Sequence, residues 1–210
     1  MYATRPKLLT PYRGYLAAAT LLFVAGILLG VVAAIYYPEV IQQAMSLLEE
    51  QLRRLGEDIF QNQLGQGIWI LFLHNLRALA LIALLGLVLG IYPIFAMLLN
   101  GLIIGVVGAV TTSATSLPAF LAGIIPHGIL EIPAILIGAA IGLRLGLAPL
   151  FKRRSSPFAT PKPDSWQGYR EELAMAFRLL IVCAGLLLVA AGIEVAITPR
   201  IMVYLRYLLM

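Results

Sequence analysis

Residues 118–146 read PAFLAGIIPHGILEIPAILIGAAIGLRLG, and this stretch decides the fold class. A helix of about 20 predominantly apolar residues is long enough to cross the hydrocarbon core of a bilayer. His127 and Glu131 lie in the middle of the stretch, four residues apart, so a helix places them on the same face. Ionisable side chains at membrane depth are costly and mark functional candidates. The stretch therefore predicts a transmembrane helix that carries a polar site.

The composition of the whole chain is typical of a membrane protein. Of its 210 residues, 61% are hydrophobic and 12% are charged, whereas soluble domains carry about 45–50% apolar and about 25% charged residues. The net charge of +5 comes from basic residues at segment ends, so we expect the lipid bilayer, and no nucleic acid, as a partner. Cys183 is the single cysteine and lies in an apolar run, which excludes a disulfide framework.

The hydropathy pattern predicts an all-α polytopic helical bundle, built as a single integral membrane domain over residues 1–210. About five spans are expected, at residues 15–36, 68–91, 94–110, 118–146 and 174–198. Tyr92-Pro93 is expected to form the turn between the second and third spans, and Pro199 is expected to end the fifth. Residues 201–210 are too few to span and are predicted to form an interfacial tail.

Residues 38–66 form a segment of a different kind. The sequence PEVIQQAMSLLEEQLRRLGEDIFQNQLGQ holds five acidic residues against Arg53 and Arg54, with apolar residues near helical spacing. This pattern predicts an amphipathic helix that either caps the chain's own spans or offers a binding surface, and both interpretations remain open. Its negative charge argues against docking to anionic lipid, which recruits basic helices.

The distribution of basic residues predicts the orientation of the chain. Lysine and arginine occur in the N-terminal arm and in the loop at 148–170, and the positive-inside rule assigns both to the cytoplasm. We therefore expect an integral cell (inner) membrane protein with a cytoplasmic N terminus, an extracytoplasmic helix at 38–66 and a C terminus outside. Arg144, near the cytoplasmic end of the fourth span, is expected to snorkel toward the interface.

Six polar side chains are predicted to form one cluster inside the membrane. At about 1.5 Å of rise per residue, all six fall in the outer half of the bilayer. They are Asn75, Arg77, Asn100, His127, Glu131 and Glu194. Pro126 and Pro133 each remove a backbone donor, so we expect the fourth span to be kinked or broken there. His127, Glu131 and Glu194 are the candidate ligands of a Zn²⁺ ion.

Glycines recur near helical spacing on three of the predicted spans. They are Gly86 and Gly90, then Gly101, Gly105 and Gly108, and finally Gly138, Gly142 and Gly146. Faces of small residues let transmembrane helices approach each other closely. Such faces serve either packing within the chain or contact in a homodimer, and the sequence leaves both open.

Four blocks of sequence stand out in the second to fifth spans. They are HN at 74–75 followed by Arg77, NG at 100–101, PHGILEIPA at 126–134 with GAAIGLRLG after it, and GIEVAITP at 192–199. In order and spacing these blocks resemble the stage II sporulation protein M family, and PHGxxE is the most specific part. The family often has two asparagines where this chain has His74-Asn75, so His74 is not carried over as a site residue.

The resemblance implies an integral inner-membrane scaffold. In endospore formers, the family member holds two extracytoplasmic peptidoglycan-degrading proteins at the septal membrane during engulfment, a lytic transglycosylase and an amidase-type hydrolase. Relatives occur in organisms that never sporulate, so sporulation itself is not implied. The residues leave two alternatives open beside this non-enzymatic role. One is a transporter or ion-coupled channel that uses the polar cluster, and the other is a metal-dependent intramembrane enzyme.

Overall fold

The computed structural model describes residues 9–46, 64–147 and 166–209, and within these ranges the chain is helical with short connections and has no strand. A short 3-10 helix, Thr10–Tyr12, leads into α1 (Arg13–Tyr36). The next helix, α2, is described over residues 38–46. The remaining helices are α3 (Leu64–Leu85), α4 (Ile91–Ala114), α5 (Leu117–Leu147), α6 (Trp166–Ala196) and α7 (Thr198–Leu209).

Within the described ranges, five helical segments are long and apolar enough to cross a membrane. They are Thr10–Tyr36, Leu64–Leu85, Ile91–Ala114, Leu117–Leu147 and Arg170–Leu205. The prediction of an all-α polytopic bundle with about five spans is therefore confirmed. Most of the segment predicted as an amphipathic helix, residues 47–63, lies outside the described residues, as does the greater part of the predicted cytoplasmic loop, 148–165.

The connection between α3 and α4 lies at residues 86–90, and the prediction that placed it at Tyr92-Pro93 was wrong. The turn reads GLVLG, and its three middle residues are apolar and exposed. Gly90 has a φ of 68°, in the left-handed region that glycine adopts without steric cost. Pro93 lies in the first turn of α4, where a proline is tolerated because its missing N–H would have no partner within the helix.

The helices α1 and α4 pack backbone to backbone through glycines on both. A Cβ atom added at Gly26 would collide with the carbonyl oxygen of Leu98, and one added at Gly101 would collide with that of Phe23. The next glycine on each helix repeats this contact one turn further along. Larger residues would hold the two backbones apart, so these glycines set the distance between α1 and α4.

Glycines also allow α5 to cross the end of α3. A Cβ atom at Gly142 would lie 2.5 Å from the carbonyl oxygen of Ile82, and one at Gly146 would collide with the carbonyl oxygen of Gly86. The predicted glycine faces are thus used for packing within the chain, which is the first of the two interpretations. Contact in a homodimer stays a prediction.

The fourth span, α5, continues through Pro126 and Pro133 as one helix of 31 residues, so the break expected there is absent. Its N terminus is capped by Ser116, whose Oγ accepts a hydrogen bond of 3.3 Å from the backbone N–H of Ala119. The two prolines still leave carbonyl groups without their usual donors on the helix. A long and uninterrupted α5 carries residues from one end of the bundle to the other.

Arg144 is buried near the end of α5 and does not snorkel, contrary to expectation. Its Nε donates a hydrogen bond of 2.8 Å to Glu172 Oε1, and its Nη1 donates one of 2.7 Å to the carbonyl oxygen of Pro11. The guanidinium carbon lies 5.0 Å from the centre of the Tyr12 ring. The 3-10 helix before α1 and the beginning of α6 meet the end of α5 here and supply hydrogen-bond acceptors. The guanidinium is therefore satisfied without reaching water.

The last helix, α7, follows α6 almost without interruption. The backbone N–H of Ile201 donates to the carbonyl oxygen of Ile197 across the junction at 3.1 Å. Pro199 falls in the first turn of α7 and does not stop the chain from being helical, because that position requires no backbone donor. The helix α7 packs against α5 and α6, which brings its first residues to the polar part of α5.

Candidate functional site

The candidate site lies where α5 faces the end of α6. His127 and Glu131 are four residues apart on one face of α5, and Glu194 is in the last turn of α6. The end of α5 meets the start of α6 through Arg144 and Glu172, so the two helices are antiparallel. Along α5, Glu131 and Arg144 are separated by about 20 Å at the rise of a helix. The site therefore occupies the half of the bundle opposite Arg144.

Three potential metal ligands meet at this site. One ligand atom each from His127, Glu131 and Glu194 can be chosen so that all three lie within 4.8 Å of one another. The Nε2 atom of His127 is 3.9 Å from Oε2 of Glu194. In tetrahedral zinc sites the metal–ligand distances of about 2.0–2.2 Å place ligand atoms about 3.4 Å apart. The three ligand atoms would therefore have to move closer together to share one ion.

Thr198, the first residue of α7, orients the imidazole. Its hydroxyl donates to the carbonyl oxygen of Ile193 at 3.3 Å, and its Oγ1 lies 3.5 Å from Nδ1 of His127. With its own hydrogen directed at Ile193, Oγ1 is left as an acceptor for the Nδ1–H group of His127. We assign this tautomer from the hydrogen-bond network, and it leaves the lone pair of Nε2 directed toward Glu194.

A cavity of about 210 Å³ opens beside the two site residues of α5. His127, Glu131 and Asn100 line it, together with apolar side chains of α1, α4 and α5. Asn100 donates from Nδ2 to the carbonyl oxygen of Ala96 on its own helix at 2.7 Å. Its amide oxygen stays available as an acceptor. The cavity is thus largely apolar with a few polar groups in its lining, as small-molecule and ion sites generally are.

The structure brings four of the six predicted residues together and leaves two elsewhere. Asn100, His127 and Glu131 line the cavity, and Glu194 reaches His127. Asn75 is buried on α3, outside the cavity lining. Arg77 is exposed on the same helix and forms no ion pair with any residue that the structure describes. The carboxylates of the site therefore have no arginine beside them among the described residues.

Two functional features were missed by the sequence interpretation. Thr198 was part of the GIEVAITP block but was not named as a site residue, although its spacing of four from Glu194 was a usable signal. The contact of Arg144 with Glu172 and Pro11 joins residues 28 and 133 positions apart. No local pattern in the sequence indicates a pairing over such distances.

The fold and the site define a polytopic α-helical membrane protein with ionisable groups in the interior of its bundle. A family model, Stage II sporulation protein M, matches residues 19–199. The chain belongs to the stage II sporulation protein M family. The match includes the first span as well as the second to fifth, from which the resemblance was inferred.

An uncharacterized protein of Methanocaldococcus jannaschii is similar to this chain. The two are 29% identical over 136 residues, which cover 63% of this chain and 71% of the relative. No solved structure matches the chain. The relative carries no stated activity, so the comparison adds no substrate or partner.

Proposed function

We propose that this chain is a membrane scaffold that holds extracytoplasmic peptidoglycan-degrading proteins at the cell membrane. Membership of the stage II sporulation protein M family supports the proposal, as do the five segments of the described residues that are long and apolar enough to cross a membrane. In the proposed orientation the N terminus is cytoplasmic and the segment at 38–66 faces outward. The segment then lies on the side of the membrane where peptidoglycan is found.

The observation that carries the proposal is the way α2 leaves α1. Tyr37 has φ −130° and ψ 53°, which is not helical, and ends α1 at Tyr36. Pro38 then begins α2, a position where proline is favoured because no donor is needed. Pro38, Glu39 and Val40 are exposed. The exposure of these three side chains among the described residues supports a docking role for the first turn of α2.

The charge of this segment indicates the kind of surface a partner would present. Residues 38–66 contain five acidic side chains and two arginines, so a basic docking surface on the peptidoglycan-degrading protein would be complementary. Complementary charge raises the rate of encounter and selects among partners. The contact should accordingly weaken as salt is raised, since exposed charges are screened within about 10 Å at 0.1 M ionic strength.

The proposal is tested by cross-linking in intact cells. A photo-cross-linking amino acid is introduced at Gln42, which is exposed on α2, and in a control at Leu28, which is exposed on α1 at membrane depth. We expect Gln42 to capture a peptidoglycan-degrading protein that Leu28 does not, and Glu49→Lys to lower the yield. Capture of cytoplasmic proteins only, or the same products from both positions, would contradict the proposal.

The two alternatives, transport and intramembrane catalysis, both depend on the polar groups of α5 and α6. Both alternatives stay predictions. Whether His127, Glu131 and Glu194 bind a metal ion is relevant to both of them. A scaffold could contain the same cluster, so the cross-linking result and the properties of the cluster are independent of each other.

A further inference from the structure

We infer that His127, Glu131 and Glu194 form a binding site for one divalent transition-metal ion of the zinc class, with an open position toward the cavity. The inference goes beyond the scaffold proposal and does not depend on it. The ion would join the middle of α5 to the end of α6 from within the membrane.

The ligand set is the first argument. One imidazole nitrogen and two carboxylate oxygens already lie within 4.8 Å of one another. Imidazole together with carboxylate is suited to zinc and neighbouring transition metals. Magnesium and calcium prefer sites made of oxygen alone. We therefore assign the site to a metal of the zinc class and expect it to discriminate against those two ions.

The orientation of His127 is the second and independent argument. With Thr198 Oγ1, which lies 3.5 Å from Nδ1, assigned as the acceptor of the Nδ1–H group, Nε2 has a free lone pair. In this tautomer Nε2 lies 3.9 Å from Oε2 of Glu194, so a nitrogen lone pair and a carboxylate oxygen lie close enough to bind one cation between them. A metal-binding histidine characteristically has its other ring nitrogen held by such a hydrogen bond.

The charge of the site is the third argument. Two ionised carboxylates inside a membrane-spanning bundle are costly unless they are paired with a positive charge. Arg77, the basic residue nearest in predicted depth, is exposed on α3 and pairs with no described residue. A divalent ion would balance both carboxylates at once, which no side chain of the described residues does.

The cavity supplies room for a further ligand. Glu131 and His127 line it together with Asn100 from α4, and apolar residues such as Phe23 and Ile104 complete the lining. A volume of about 210 Å³ exceeds the space that one water molecule needs. Three protein ligands and an accessible fourth position are the arrangement of an exchangeable metal site rather than of a closed structural one.

Zinc binding is measured on the detergent-purified full chain after chelator treatment and dialysis against zinc chloride. We expect about one zinc per chain, in line with three protein ligands on a single ion. Glu131→Gln, Glu194→Gln and His127→Gln should each weaken the affinity at least tenfold. Thr198→Val should weaken it by about 10–100-fold, as loss of a hydrogen bond that orients a ligand does. Magnesium and calcium at the same concentration should not compete.

Matched controls come from the chain itself. His74 is the other of its two histidines and is exposed on α3, and Glu171 is exposed at the start of α6. His74→Gln and Glu171→Gln should bind zinc as the wild type does. Folding of every variant is checked by its helical circular dichroism and by a single elution peak in detergent.

Three results would overturn the inference. They are a wild type that takes up no stoichiometric zinc, a His74→Gln variant that loses as much zinc as His127→Gln, and folded Glu131→Gln and Glu194→Gln variants that keep full affinity. If the site variants do not fold, the visible absorption spectrum of Co²⁺ bound to the wild type tests the inference instead. Strong visible absorption from a four-coordinate site supports the inference, and the weak spectrum of the hydrated ion contradicts it.

Discussion

Replacing Arg144 by methionine should destabilise the bundle more than any other single charge removal in the described residues. The change removes two hydrogen bonds, to Glu172 and Pro11, and the contact with the Tyr12 ring. Breaking a buried ion pair by removing one partner costs about 3–5 kcal/mol. The Glu172 side chain keeps 18% of its exposure and can recruit water, so we expect the lower end, about 3 kcal/mol.

The partner substitution should cost less. Glu172→Gln retains an acceptor for the guanidinium and loses its charge, which we expect to lower stability by about 1–2 kcal/mol. The double variant should be less destabilised than the sum of the two single variants, because Arg144→Met already removes what Glu172 binds. The coupling energy from this double-mutant cycle measures the interaction between Arg144 and Glu172.

Unfolding in mixed detergent micelles, followed by loss of helical circular dichroism, supplies the free energies. Arg178→Met is the matched control, since Arg178 is exposed on α6 and its replacement should change stability by less than about 0.5 kcal/mol. If Arg144→Met and Arg178→Met unfold at the same detergent composition, the buried contacts do not hold the three helix ends together and the reasoning fails.

Three further predictions concern packing, orientation and α5. Gly101→Ala should lower the free energy of unfolding by about 1–3 kcal/mol, because its Cβ would collide with the backbone of α1. Gly185 has open space around it, so Gly185→Ala should be neutral or slightly stabilising in the same unfolding assay. Ser46→Cys should react with a membrane-impermeant maleimide in intact cells, and the fully buried Cys183 should give no background; labelling only after permeabilisation would reverse the proposed orientation. Pro133→Ala restores a backbone donor within α5 and should raise stability by about 1 kcal/mol, and an unchanged or lower value would mean that the carbonyl it would bond is already satisfied.

The pair His127 and Glu131 could be predicted from the sequence because helical spacing alone places both on one face. Glu194 could be added by depth, since the rise per residue fixes how far along its span it lies. Depth does not fix direction around the helix axis. Asn75 and Arg77 are two residues apart and so point to different sides of α3, which is why the structure buries one and exposes the other.

Local sequence patterns could not predict the position of the turn between α3 and α4 or the burial of Arg144, and the reasons differ. Tyr92-Pro93 has the composition of a turn, but a proline is equally acceptable in the first turn of a helix, and Gly90 supplies the left-handed conformation that the turn requires. Arg144 lies near the end of an apolar span, where snorkelling is the usual outcome. Its acceptors come from distant parts of the chain and become visible only when the helices are packed.

The GLVLG turn between α3 and α4 has a consequence for how the chain enters the membrane. Orientation during insertion is read from lysines and arginines in short loops, and this loop contains neither. The hairpin of α3 and α4 thus has no topogenic signal at its tip, and we expect it to take its orientation from the basic residues that precede α1 and follow α5. In the proposed orientation the turn is cytoplasmic, so two arginines added to it would favour the same orientation as the flanking basic residues do. Removing basic residues elsewhere would leave the hairpin free to insert in either orientation.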